Sequence, residues 1–122
     1  MRVIKFRAWD KTLNKIHCWS AIENHFTFEE LLDDNFFEAM QYTGLKDKNG
    51  IEIYEGDIIL VNVFMSKHVT GLVAFDRGSF CVTGNFEGWG YDCNTTNFWE
   101  MSTNGNEYKV IGNIYEHNHL LG

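Results

Sequence analysis

No proline occurs in the 122 residues. Every tight turn must therefore be made by Gly, Asn or Asp. Eleven glycines are available for this, and the stretch "QYTGLKDKNGIEIYEGDIILVNV", Gln41 to Val63, sets Thr-Gly, Asn-Gly and Gly-Asp around short apolar runs. Rings and β-branched side chains suit a pleated, half-buried surface, and 16% of residues are Phe, Tyr or Trp. The expected fold is mainly β.

The length fits one domain spanning residues 1–122. A chain of this size buries roughly two-thirds of its unfolded surface, enough for a core without disulfides or metal. Hydrophobic residues make up 44% of it, which excludes a disordered chain. Cys18, Cys81 and Cys93 form no CxxC pair, which fits reduced thiols and a cytoplasmic setting. "MRVIKFRAWD" carries charge without an apolar core, unlike a signal peptide. The run "IILVNVFM" falls far short of the ~20 residues that span a bilayer.

The formal charge of −7 is uneven. Residues 1–15 carry Arg2, Lys5, Arg7, Lys11 and Lys15 against Asp10, while residues 23–57 carry ten acids and two lysines. The simplest arrangement sets the basic N-terminal strand beside the acidic segment. An acidic whole argues against wrapping phosphate backbones, which draws on clustered Lys and Arg.

"VIKFRAW" alternates, with Ile4, Phe6 and Ala8 facing one way and Lys5 and Arg7 the other, as in a strand with one buried face. Ile16–Ala21 returns the chain as the second strand of a hairpin. Thr27 and Glu30 have capping-box spacing, and Phe26 and Leu31 have that of a hydrophobic staple. A short helix is expected from Phe28 to Asp34, with Phe28, Leu31 and Leu32 as its apolar stripe. Phe37–Thr43 reads as a strand, and "IEIY" as an extended piece with Ile51 and Ile53 on one side. "IILVNVF" reads as a central strand. "VTGLVAF" has Gly71 at a bulge or bend. Asp76-Arg77-Gly78 turns into "SFCVT", and Gly84–Asn97 reads as a long loop. "FWEMS" and "EYKVIGNIY" complete the strands, and the tail has room for one helical turn. From Ile58 onward the rhythm is that of a small, strongly bent barrel of the Src-homology-3-like type. Residues 1–45 hold the N-terminal hairpin, short helix and strand, and residues 46–122 the barrel-like portion.

Three blocks, "MRVIKFRAWD", "MQYTGLKDKNGIEIYEGDIILV" and "KVIGNIYEHNHLL", resemble the YopX family of phage and prophage proteins. They cover a little over a third of the chain. The resemblance implies a small protein encoded by a phage or a bacterial prophage, with a mainly β, barrel-like fold. It brings no catalytic residues to carry over. The motif positions are Thr43, Gly44, Asp47, Asn49, Gly50, Tyr54, Gly56, Asp57, Gly112 and Asn113. The family's tail commonly runs Glu-Asn-Pro, whereas this chain has Glu116-His117-Asn118-His119.

Asp47-Lys48-Asn49-Gly50 has carboxylate and amide ligands, yet its Gly and Glu52 miss the positions of a calcium loop, so it reads as a turn. Asp57 has the place to accept backbone N–H groups of the preceding turn. His117 and His119 form a possible metal pair, but a site needs three or four ligands and no spacing supplies them. No nucleophile elbow or phosphate loop occurs. Neither a cofactor nor a metal is expected. Phe86, Trp89 and Tyr91 stand in a Gly- and Asn-rich stretch as an aromatic interaction surface, since rings give large contact area at low entropy cost. The function expected is that of a non-enzymatic accessory protein in the bacterial cytoplasm. It binds proteins, with itself and a host or phage protein as partners, and involves no membrane. The alternative is a nucleic-acid-binding barrel that uses Arg2, Lys5, Arg7 and Trp9.

Overall fold

A computed structural model describes residues 3–63, 67–76, 78–84, 95–97 and 107–121. The chain is mainly β, with one sheet curled as a half-barrel and a second sheet beside it. The first sheet has the order β2-β1-β3-β4, built from β1 (Phe6–Asp10), β2 (Lys15–His17), β3 (Phe37–Lys46) and β4 (Glu52–Tyr54). The second has the order β8-β7-β6-β5-β9, from β5 (Asp57–Val63), β6 (Lys67–Asp76), β7 (Ser79–Gly84), β8 (Thr95–Asn97) and β9 (Glu107–Asn113). All the pairings described are antiparallel, so short Gly-containing turns suffice to connect neighbours.

Two short helices, α1 (Trp19–His25) and α2 (Phe28–Leu31), lie between β2 and β3. The expected return strand through Ala21 stops at His17, and Trp19 opens α1 instead. Trp19, Ile22 and Phe26 recur at helical spacing and join Ala8 and Leu31 in one cluster with Phe6 and Phe37. That shared burial outweighs the weak alternation of "IHCWSA". α2 starts as its sequence requires. The Glu30 N–H donates to Thr27 Oγ1 at 3.2 Å, and the Thr27 N–H donates to Glu30 Oε1 at 3.1 Å. It ends earlier than expected, at Leu31, and of its predicted stripe only Leu31 is buried.

β1 is covered on both faces. Phe6 and Ala8 pack under the helices, while Trp9 joins Met40, Tyr42, Tyr54 and Tyr115 on the other side. A third cluster gathers Ile53, Ile59, Val61, Val73, Val82 and Tyr108. β4 pairs with β3 yet lends Ile53 to this third cluster. Ile51 lies outside the strand and is 52% exposed, so it does not share the face of Ile53.

Gly71 is in regular register with Ile59 and Gly84, with no bulge. A Cβ there would lie 2.3 Å from Val82 Cγ1, so glycine serves close packing. The irregularity falls on β9, where Ile58 faces Gly112 and Ile59 faces Val110, leaving Ile111 as the extra residue. Thr95–Asn97, expected within a loop, pairs with β7 as a strand. "FWEMS" lies outside the described residues. The tail closes in a 3-10 turn, Asn118–Leu121. Among the described residues no helix is long and apolar enough to cross a membrane.

Candidate functional site

The motif positions gather where the two sheets meet. At the tip of the β3–β4 hairpin, Asp47 Oδ1 accepts the N–H groups of Asn49 and Ile51 at 2.8 and 2.9 Å. Its Oδ2 reaches across to accept the Val110 N–H at 2.9 Å, and the Lys48 N–H donates to the Tyr108 carbonyl at 3.1 Å. The hairpin tip thereby caps the outer edge of β9, which would otherwise expose unpaired backbone groups. Burial pushes the Asp47 carboxyl up, but the donors from Val110, Ile51 and Asn49 hold it below its ordinary value. Thr43 Oγ1 donates to the Ile53 carbonyl at 2.8 Å and accepts the Leu45 N–H at 3.2 Å. Gly44 and Gly50, at φ 89 and 83, supply the left-handed turns beside it.

The next turn joins β4 to β5. Asp57 Oδ2 accepts the Tyr54 N–H at 2.8 Å. Gly56 takes φ 82, donates its N–H to the Val73 carbonyl and accepts from Ile114, each at 2.8 Å. Asp57 is 1% exposed, and its Oδ1 receives the Arg7 guanidinium from β1. Arg7 also lies over the Tyr54 ring, 4.8 Å from its centre. Arg7 Nε is buried with no hydrogen-bond partner among the described residues. Lys5 pairs with Glu52 and sits 5.2 Å from the centre of the Tyr42 ring. Burial pushes the Asp57 carboxyl above its ordinary value, against the pull of Arg7 and the Tyr54 N–H. Burial, with Glu52 nearby, pushes the Tyr54 hydroxyl up to about 12.

A third turn ends β9. Asn113 Oδ1 accepts from the Tyr115 and Glu116 N–H groups at 3.0 and 2.9 Å. The Asn113 N–H donates to His117 Nδ1 at 3.1 Å. The His117 ring lies on Gly112, where an added Cβ would meet it at 2.7 Å. His119 is near, with ring centres 6.4 Å apart. Among the described residues no three His, Cys, Asp or Glu side chains cluster as metal ligands.

Two features escaped sequence reasoning. Asp10 accepts from Thr12 and Leu13 N–H groups and pairs with His17 Nε2 at 2.8 Å. His17 and the Leu13 N–H hold that carboxyl below its ordinary value. Only the Asp10–His17 separation across a hairpin hinted at it. Cys18 is a free and exposed thiol, and the Ser20 hydroxyl and Ala21 N–H pull it below its ordinary value. Cys81 is buried, whereas Cys93, Phe86, Trp89 and Tyr91 lie outside the described residues.

Chemically, the cluster is a set of carboxylates and amides turned onto backbone donors and cations. The family model described as YopX protein matches residues 5–122. This chain belongs to the YopX family. The crystal structure of protein EF1440 from Enterococcus faecalis is similar at a TM-score of 0.60 and 25% identity, covering 100% of both chains. No similar sequence is found among the curated proteins. In this YopX chain the three blocks of resemblance fall on β1, on the β3–β4–β5 joint and on β9 with its closing turn. These are the segments that hold the two sheets together.

Proposed function

We propose that this YopX protein is a phage-encoded accessory protein that acts without catalysis, through contacts with other proteins and with copies of itself, in the cytoplasm of a bacterial host. One observation carries the reading: the buried carboxylates Asp10, Asp47 and Asp57 each have both oxygens engaged by backbone donors, a cation or an imidazole. Such acids shape turns, and their oxygens are already committed as acceptors. Self-contact is supported by large apolar side chains left outside the cores, among them Phe75 and Ile51.

The nucleic-acid alternative draws on Lys5, Arg7 and Trp9. Lys5 and Arg7 are already paired with Glu52 and Asp57, and Trp9 stacks on Tyr115 with ring centres 5.3 Å apart, which favours the protein-contact reading. Sedimentation velocity across a concentration series tests self-association. The expected result is a mean mass that rises with concentration; a strict monomer throughout overturns that part. Binding to random DNA at low salt that weakens steeply as salt rises would favour the alternative.

A further inference from the structure

We propose that α2 and the turn after it form a docking surface for a basic, apolar segment of a partner protein, a proposal that rests on the protein-contact reading above. Phe28 and Leu32 are 62% and 54% exposed. The Leu32 N–H donates to the Phe28 carbonyl at 3.1 Å, so the two side chains stand one helical turn apart on the same side. Phe28 meets Phe6 edge-on, with ring centres 6.4 Å apart, which holds it beside β1. Phe36, 52% exposed, follows in the turn that enters β3. Leu31 already fills the interior position of α2, so these three have no place in the core.

The surrounding charge selects the occupant. No Lys or Arg lies between Lys15 and Lys46, whereas Glu23, Glu29, Glu30, Asp33, Asp34 and Glu38 do. One lysine borders the surface: Lys11 pairs with Glu38 and its Nζ also donates to the Asp34 carbonyl, which leaves that cation engaged. Glu23, Glu29, Glu30, Asp33 and Asp34 form no ion pair among the described residues. Two copies meeting face to face here would oppose like charges. Anionic lipid and nucleic acid are disfavoured for the same reason. A segment with Leu or Phe flanked by Lys or Arg satisfies both the apolar pair and its acidic border.

The test titrates the full 15N-labelled chain with a helical peptide of leucine and lysine, roughly 18 residues or five turns long. A glutamate counterpart and vesicles of anionic phospholipid serve as the other arms. Expected are amide shifts concentrated in α2 and its flanking turns with the lysine peptide alone. Binding falls about tenfold or more in Phe28→Ser/Leu32→Ser, and likewise in Glu29→Lys/Asp34→Lys, both at exposed positions and with thermal midpoints near that of the parent. Unchanged binding in both variants, equal binding of the glutamate peptide, or vesicle binding through Phe28 and Leu32 overturns the proposal. If the parent self-associates and Phe28→Ser/Leu32→Ser is monomeric, the surface is a self-contact; this proposal then falls while the protein-contact reading stands. A parent that binds neither peptide nor itself removes both.

Discussion

Asp47 shows how one carboxylate can shape a turn and protect a sheet edge together. It accepts three backbone N–H groups, two within its own turn and one from β9. Its folded-state pKa lies below 3.8, so its stabilisation is complete above that value and is lost as pH falls through the lower folded value. Asp47→Asn should cost about 1–3 kcal/mol at neutral pH. In chemical denaturation its deficit against the parent should shrink steadily below pH 3.8. Asp57 has the opposite sign. Its pKa is raised, so its ionisation subtracts stability as pH rises from 3.8 through the folded value. Gly56 is constrained by conformation and by space, with φ 82 and an added Cβ 3.0 Å from Met40 Sδ. Gly56→Ala should destabilise by about 1–2 kcal/mol in the same measurement. At this scale much was legible: an Asp within three residues of a turn glycine, as Asp47 is of Gly50 and Asp57 of Gly56, signals an acceptor. The reach of Asp47 to Val110 was not, because 63 positions separate the pair in sequence.

Elements were legible where their signals are local. The Thr27–Glu30 box and the turns at Gly50, Gly56 and Gly78 depend on neighbours within four residues, and each appears where the sequence places it. α1 was missed because its helical spacing, Trp19, Ile22 and Phe26, begins inside an apparent strand and gains its energy only by packing on β1. Ile22→Ala, at a site 4% exposed in that packing, should therefore lower stability by about 2–5 kcal/mol. Circular dichroism through the melt would show helix and sheet lost together. The constraint on Gly71 comes from Val82 on β7 and not from a bend in its own strand, so its reason is not local. Gly71→Ala should cost about 1–3 kcal/mol through overpacking, read as a lower denaturation midpoint at unchanged slope.

Over the whole molecule, the charge asymmetry of the sequence becomes a set of contacts. Lys5, Arg7 and Lys11 of the basic N-terminal segment meet Glu52, Asp57 and Glu38 of the acidic one. The sense of this was legible from charge alone, but the partner of each residue required the fold. Of the three pairs only Arg7–Asp57 is deeply buried, and it ties β1 of the first sheet to β5 of the second. A buried pair adds little over apolar residues, yet breaking it strands a charge, which costs about 3–5 kcal/mol. The most direct measurement is equilibrium denaturation of Arg7→Met beside Arg7→Met/Asp57→Asn. Met removes the guanidinium and strands the buried Asp57 carboxylate, while Asn in the double variant removes that charge and keeps an oxygen for the Tyr54 N–H. The single variant should lose about 3–5 kcal/mol and the double variant recover most of it. A single variant as stable as the parent, or a double variant no more stable than the single, would contradict a fold joined at this pair.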